Sequence, residues 1–254
     1  PYRVPIARLA VAQALLDADR VPSDEIERLT AEVASDHVAP SASAPPATSA
    51  GIDDDEARFL VLHALKIKGF SAASTVAELS TVGADRTCAI LGELAETGHA
   101  RFFEARELWQ LTPEGKERHA AEIVDAAAEH GSGLRIHYTA FLDLNTHVKE
   151  LCTAWQIRDG DPNDHSDADY DAGRLGELDR FNAEAASVLD GFAAAVPRFA
   201  AYRHRLAAAT ARAVNGETKM FTGVMCGSFH DIWMELHEDL IQLLSIDRGA
   251  EGSY

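Results

Sequence analysis

Basic residues are scarce in this chain: 23 Lys and Arg stand against 41 Asp and Glu, a formal net charge of −18 at pH 7. A field of that sign repels phosphate backbones and anionic lipid headgroups, so nucleic-acid binding would need a concentrated basic face working against it, and the sequence shows none. Cysteine is scarce as well. Cys88, Cys152 and Cys226 are odd in number, far apart and without a C-x-x-C pair, which argues against a disulfide framework or a cysteine zinc site and fits a reducing cytosol. No apolar run approaches the roughly 18–20 residues that cross a bilayer, and no signal segment opens the chain, so a cytoplasmic protein without a membrane partner is expected. The phosphate loops G-x-x-x-x-G-K-[ST] and G-x-G-x-x-G, the elbow G-x-S-x-G and the zinc motif H-E-x-x-H are all missing. No metal is therefore expected, and any nucleotide must arrive with a partner.

What is present is an ordinary globular composition, 46% apolar and 25% charged over 254 residues, enough for one large domain or two modest ones. The periodicity predicts a mainly α protein in four parts. Residues 1–36 read as a helical hairpin around Asp19-Arg-Val-Pro-Ser-Asp24, with Ile6, Leu9, Ala10, Ala14 and Leu16 at helical spacing. Residues 37–52 are rich in Pro, Ser and Ala and read as a flexible linker. Residues 53–125 follow the order helix, short helix, helix, two strands, helix. The first helix is stopped by Gly69, Ser74 caps the short one, Gly98 stops the third, and Thr112 with Pro113 opens the last. This stretch resembles the winged helix-turn-helix family. Residues 134–248 read as a helical bundle, with Phe141, Leu144, Val148, Leu151 and Trp155 on one stripe and a final helix starting near Ser228.

A winged helix that reads DNA needs Arg, Lys, Asn or Gln on its third helix. Here that helix carries Arg86 alone against Asp85, Glu93 and Glu96, and residues 55–125 hold eight basic and twelve acidic residues. No nucleic-acid partner is expected; a packing or protein-docking role is the plainer reading.

Chemistry is expected in the helical half. Asp159, Asp161 and Asn163 mimic the start of a calcium loop, but Asp164 stands where Gly is needed and Tyr170 where Glu is needed, so an Asx turn explains the loop better. His165 lies within it. On the last helix Ser228, His230, Trp233 and His237 mix polar and aromatic groups. The two histidines, seven residues apart, are separated by roughly 10 Å along the axis and cannot clamp one metal unaided. Both also read as satisfied core histidines. Asn145, Lys149, Cys152 and Gln156 share a face of the first bundle helix, where Lys149 is either an inward cation or a snorkelling edge residue. The helix at Pro197 adds Arg198, Tyr202 and Arg205. A pocket among these helices would hold cations, an aromatic wall and a histidine base, which suits phosphoryl transfer to a phenol or enol.

The segments Leu144-Asn145, Lys149, 153–158, 163–167, Pro197-Arg-Phe with Tyr202 and Arg205, and 228–238, together with the N-terminal ARLAVAQALLDADRVPSDEIERL, resemble proteins related to pyruvate phosphate dikinase and phosphoenolpyruvate synthase. That resemblance implies a partner subunit with an ATP-grasp domain and a phosphohistidine, because neither is found here. ATP and Mg²⁺ would act through that partner, and this chain would bind no cofactor of its own. Two-component systems that phosphorylate phenolic compounds such as hydroxyacetophenones are the nearest match. The resemblance then implies an acceptor-binding subunit, with His230 or His237 as general base and Lys149 with Arg205 as phosphate clamp. It adds His165 to the catalytic candidates, and Arg158, Tyr202, Trp233, Asn145 and Ser228 as acceptor contacts. Two other roles stay open from the sequence: a ligand-responsive winged-helix regulator and a structural adaptor.

Overall fold

Helix ends in this chain are written into short polar signals, and the computed structural model, which describes residues 51–247, shows them at work. The expected hairpin 1–36 and nearly all of the 37–52 linker lie outside the described residues. Asp53 accepts from the amide of Glu56 and starts α1 (Asp54–Lys68), which Gly69 ends at φ 72°. After β1 (Phe70–Ser71) come α2 (Ala73–Ser80) and α3 (Ala84–Glu96). The cap of α2 is Ala72, not Ser74, and it makes no side-chain bond. β2 (Ala100–Phe103) and β3 (Leu108–Leu111) pair antiparallel, with Phe102 opposite Trp109, around a 3₁₀ turn at Glu104–Arg106. The sequence alone did not suggest β1, which adds to the other edge of β3 and makes a three-stranded sheet in the order β1-β3-β2.

Thr112 accepts from the amide of Gly115 to open α4 (Pro113–Gln156), and this helix does not stop where the first module was expected to end. It runs unbroken for 44 residues, about 66 Å at 1.5 Å per residue, through the 126–133 stretch left outside both expected domains. Gly131 and Gly133 are poor helix formers, yet the helix crosses them at points where it packs tightly on its neighbours. A Cβ on Gly131 would sit 3.2 Å from the Leu243 carbonyl oxygen, and one on Gly133 would sit 3.1 Å from the Ala195 Cβ. Tertiary packing here overrides propensity.

A two-residue hairpin follows, β4 (Ile157–Arg158) against β5 (Asp161–Pro162), turned by Asp159 and Gly160 at φ 53° and 91°. The Asp-Gly pair therefore serves a tight turn of the kind both positive φ values demand. No group of three His, Cys, Asp or Glu able to hold a metal occurs among the described residues. Asp167 caps α5 (Ala168–Ala195); a 3₁₀ turn (Pro197–Phe199) leads to α6 (Ala200–Val214), then α7 (Lys219–Thr222) and α8 (Phe229–Leu244), which Ser228 caps. α4, α5, α6 and α8 pack as a bundle around Phe141, Phe181, Phe192 and Trp233. This core is continuous with the Leu62, Leu65, Val76 and Leu91 cluster of the N-terminal module. The protein is thus mainly helical, and no helix among the described residues is long and apolar enough to cross a membrane.

Gly115 fixes how α4 leaves the sheet. A Cβ there would lie 1.9 Å from the carbonyl oxygen of His99, a backbone atom that cannot swing aside. In an open helix, Gly→Ala gains about 1 kcal/mol; at this site Gly115→Ala is expected to lose about 1–3 kcal/mol, as overpacking does. A urea titration reads the sign directly.

Candidate functional site

The polar centre of the molecule lies on one face of α8, where Asp231, Glu235 and Asp239 recur every fourth residue and so stack along a single stripe. Opposite it stand cations from three other elements: Lys68 at the end of α1, Arg198 in the 3₁₀ turn and Arg205 in α6. The N-terminal module and the bundle meet across this seam.

Asp239 is fully buried. Its Oδ2 accepts from Arg198 Nη1 at 2.5 Å and from the Tyr202 hydroxyl at 2.9 Å, while its Oδ1 accepts from Arg198 Nη2 at 2.6 Å. The same Oδ1 lies 2.8 Å from His63 Nε2, and His63 Nδ1 lies 2.9 Å from Nε2 of His119. An ionised carboxylate only accepts, so His63 carries its proton on Nε2 and takes the His119 N–H on Nδ1. Phe59 stacks on the paired rings. Burial lowers the affinity of His63 for a second proton, although Asp239 pulls the other way; Arg198 and Lys66 add to the lowering. Burial also pushes His119 down to about 3, helped by His63. Burial alone would raise Asp239, but Arg198 and His63 outweigh it and hold its carboxyl far below the ordinary range. Tyr202 is raised well above 10 by burial and by Asp239.

One turn earlier, Glu235 receives Lys68 at 2.5 Å and Arg205 Nη2 at 2.7 Å. Burial would raise its pKa; the two cations outweigh that and lower it. Arg205 Nε also reaches Glu78 of α2 at 3.3 Å, and Glu78 is 43% exposed, so the seam approaches solvent there. The Arg205 guanidinium is buried, yet its Nη1 has no hydrogen-bond partner. At the start of α8, the Asp231 carboxylate accepts from the amides of Cys226 and Gly227 at 2.9 and 3.1 Å. Burial, reinforced by Glu235, still raises it to about 6.

No family model, curated protein or solved structure matches this chain. Its chemistry has to be read from the side chains.

The residues singled out from the sequence fall in five places. Tyr202 and Arg205 belong to the seam. Asn145, Trp233 and His237 lie in the aromatic core: Trp233 Nε1 donates to Asn145 Oδ1 at 3.0 Å, and His237 packs on Phe141 with the Tyr138 hydroxyl 3.5 Å away. Arg158 and His165 lie on the outer loop. Arg158 pairs with Asp167 at 2.9 Å and covers the Tyr170 ring, and His165 pairs with Asp171 at 2.9 Å and rests on Trp155. Ser228 is a helix cap, its hydroxyl donating to Gly223 O at 2.6 Å and accepting from the Asp231 amide. His230 is half-buried in the first turn of α8, and burial lowers its pKa. Lys149 is exposed on α4, whereas Arg205 is buried against Glu235. The structure does not bring these two together as a clamp, because the stripe from Phe141 to Trp155 faces the core and leaves Lys149 at its solvent edge.

Sequence reasoning passed over His63, His119, Lys68, Glu235 and Asp239. The four-residue spacing of the α8 carboxylates was a usable signal. So was His63, embedded among Val61, Leu62, Ala64 and Leu65, where a polar side chain on an apolar helix implies a buried partner.

Proposed function

We propose that this chain is the ATP-free subunit of a dikinase-like phosphotransferase, that it holds a small phenolic hydroxyl acceptor, and that Arg205 meets the transferred phosphoryl oxygens. One observation carries the reading beyond the sequence resemblance: Arg205 is a desolvated guanidinium with a spare N–H on Nη1, near an edge bounded by the half-exposed Glu78. An unmet buried donor of this kind costs free energy unless a ligand oxygen satisfies it. The segments that carry the resemblance also meet around α8, through Trp233 with Asn145 and Arg205 with Glu235.

In the proposed step the acceptor hydroxyl gives its proton to neutral His230, which burial keeps unprotonated near pH 7. The resulting phenolate oxygen forms the new O–P bond as the P–N bond of the partner's phosphohistidine breaks, and the electron pair returns to that imidazole. Arg205 balances charge on the equatorial oxygens. His237 is walled in by Phe141 and Tyr138 and is a poorer base for this role. ATP and Mg²⁺ come with the partner.

Phenyl phosphate is the probe for this site. Calorimetric titration of the full chain is expected to show binding that Arg205→Met weakens about 10- to 100-fold, the range of a charged hydrogen bond of roughly 1.5–3 kcal/mol; Arg205→Lys should retain part of it. Absence of binding by the wild-type chain overturns the reading.

That outcome would favour a structural adaptor, for which the complete burial of His63, His119 and Asp239 speaks. The regulator reading is weakened by Arg86, the only basic residue of α3. Its guanidinium is committed to the carbonyls of Ile52 and Asp53 and to Asp54, so it is not presented to a phosphate backbone.

A further inference from the structure

We propose that the middle of α4 is the surface on which two copies of this chain associate, with the helices antiparallel and crossing at Ser132. The inference is independent of the phosphotransferase reading. Val124 and Ile136 are 62% and 77% exposed, the two most exposed large apolar side chains among the described residues. They flank an open groove of about 670 Å³ between α4 and the end of α8, floored by Ala128, Gly131, Leu243 and Leu244. Small residues at 128, 131 and 132 allow a second helix to approach closely.

Charge selects the occupant. A chain carrying −18 repels its own copies, so self-association has to occur on an apolar surface whose few charges pair with one another. Between Val124 and Ile136 the exposed face of α4 carries the cation Arg135 against the carboxylates Asp125 and Glu129. When two identical helices cross antiparallel at Ser132, each residue n places before 132 faces the residue n places after it in the partner. Ala128 then faces Ile136, which fills the small-residue gap, and Glu129 faces Arg135. All four are solvent-accessible, Ile136 and Glu129 fully on the outer face. Arg135 Nη2 donates to the Leu244 carbonyl at 3.0 Å, which holds the guanidinium at the groove rim with further donors to offer. The contact occurs twice around the dyad, while Asp125, seven residues before the crossing on the same face, meets the partner's Thr139.

Light scattering of the full chain is expected to give about twice the 27.4 kDa of a single copy. Ile136→Asp should weaken association tenfold or more, with the circular dichroism spectrum unchanged because the side chain is exposed. Glu129→Arg should weaken it as well, and adding Arg135→Glu should restore it, a rescue that a merely structural role for either residue does not produce. With the exposed Cys88 replaced by serine, Ser132→Cys should form a disulfide-linked dimer under mild oxidation. A monomer throughout the micromolar range overturns the proposal. So does a dimer that ignores Ile136→Asp and the charge reversal, or a Ser132→Cys chain that fails to cross-link.

Discussion

Asp239→Ala is expected to cost about 3–5 kcal/mol, the range seen when one partner of a buried ion pair is removed. Asp239 is fully buried, and four donors converge on it from Arg198, Tyr202 and His63. Removing it leaves Arg198, itself only 8% exposed, as an unpaired cation in a desolvated seam, and leaves His63 without an acceptor. A folded domain has about 5–15 kcal/mol in total, so the loss takes a large share of the stability. It should be concentrated at the junction of α1 with α8, because that is where the broken contacts lie. Asp239→Asn keeps the shape and part of the hydrogen bonding but not the charge, and should cost less than alanine. Replacing the pair together, Arg198→Met with Asp239→Leu, should recover much of the alanine loss, since two apolar groups leave no buried charge behind. Urea denaturation of the three variants orders them. If Asp239→Ala shifts the midpoint no more than an exposed substitution such as Asp55→Ala, the seam is not what joins the two modules.

Acidification is the second large effect, and its sign follows from the histidines. His119 is held down to about 3 and His63 is lowered in the same sense; each titrates near 6.5 in the unfolded chain. The folded state therefore binds fewer protons than the unfolded one as the pH falls from about 6.5 toward 3, and stability drops across that window by up to about 1.4 kcal/mol per pH unit for each group. Asp231 opposes this. Raised to about 6 by burial and by Glu235, it gains a proton in the folded state before the unfolded chain does, so it favours folding between about 6 and 4. Glu235 and Asp239 are depressed; their contribution is intact above the unfolded carboxylate range and is lost only below about pH 4. Arg198 and Lys66 add to the repulsion that a histidinium at His63 would meet. His230, also lowered by burial, acts in the same sense, so three histidines against one carboxylate leave a net loss between pH 6.5 and 4, steeper below 4. His119→Phe preserves the stack on Phe59 and His63 and removes one of the three histidines, so the fall in stability over that range should be visibly shallower. An identical slope in the wild type and the variant would exclude His119 from the titration.

Parts of this molecule were legible one residue at a time. Gly69 closing α1, Thr112 and Pro113 opening α4, Ser228 capping α8 and the stripe from Phe141 to Trp155 all depend on neighbours within one or two turns, and local physics acts on them before any helix meets another. The seam was not legible in this way. His63 lies 56 residues from His119 and 176 from Asp239, and nothing local marks them as partners, since each sits on a helix that would form without the other two. How far the inward face of α4 reaches beyond that stripe was also undecided by pattern alone: Lys149 went to solvent while Asn145, one turn away, went to the core.

The sequence by itself therefore determined the helical character, most element ends and the acidic charge that weighs against nucleic acid. Only the tertiary structure decided the continuity of α4 through two glycines and the gathering of eight ionisable side chains, from α1, α4, the 3₁₀ turn, α6 and α8, into one buried network. The physical reason is the same in both cases. Capping and periodicity are satisfied within a segment, whereas a desolvated charge, or a glycine without room for a side chain, is satisfied only by what packs against it.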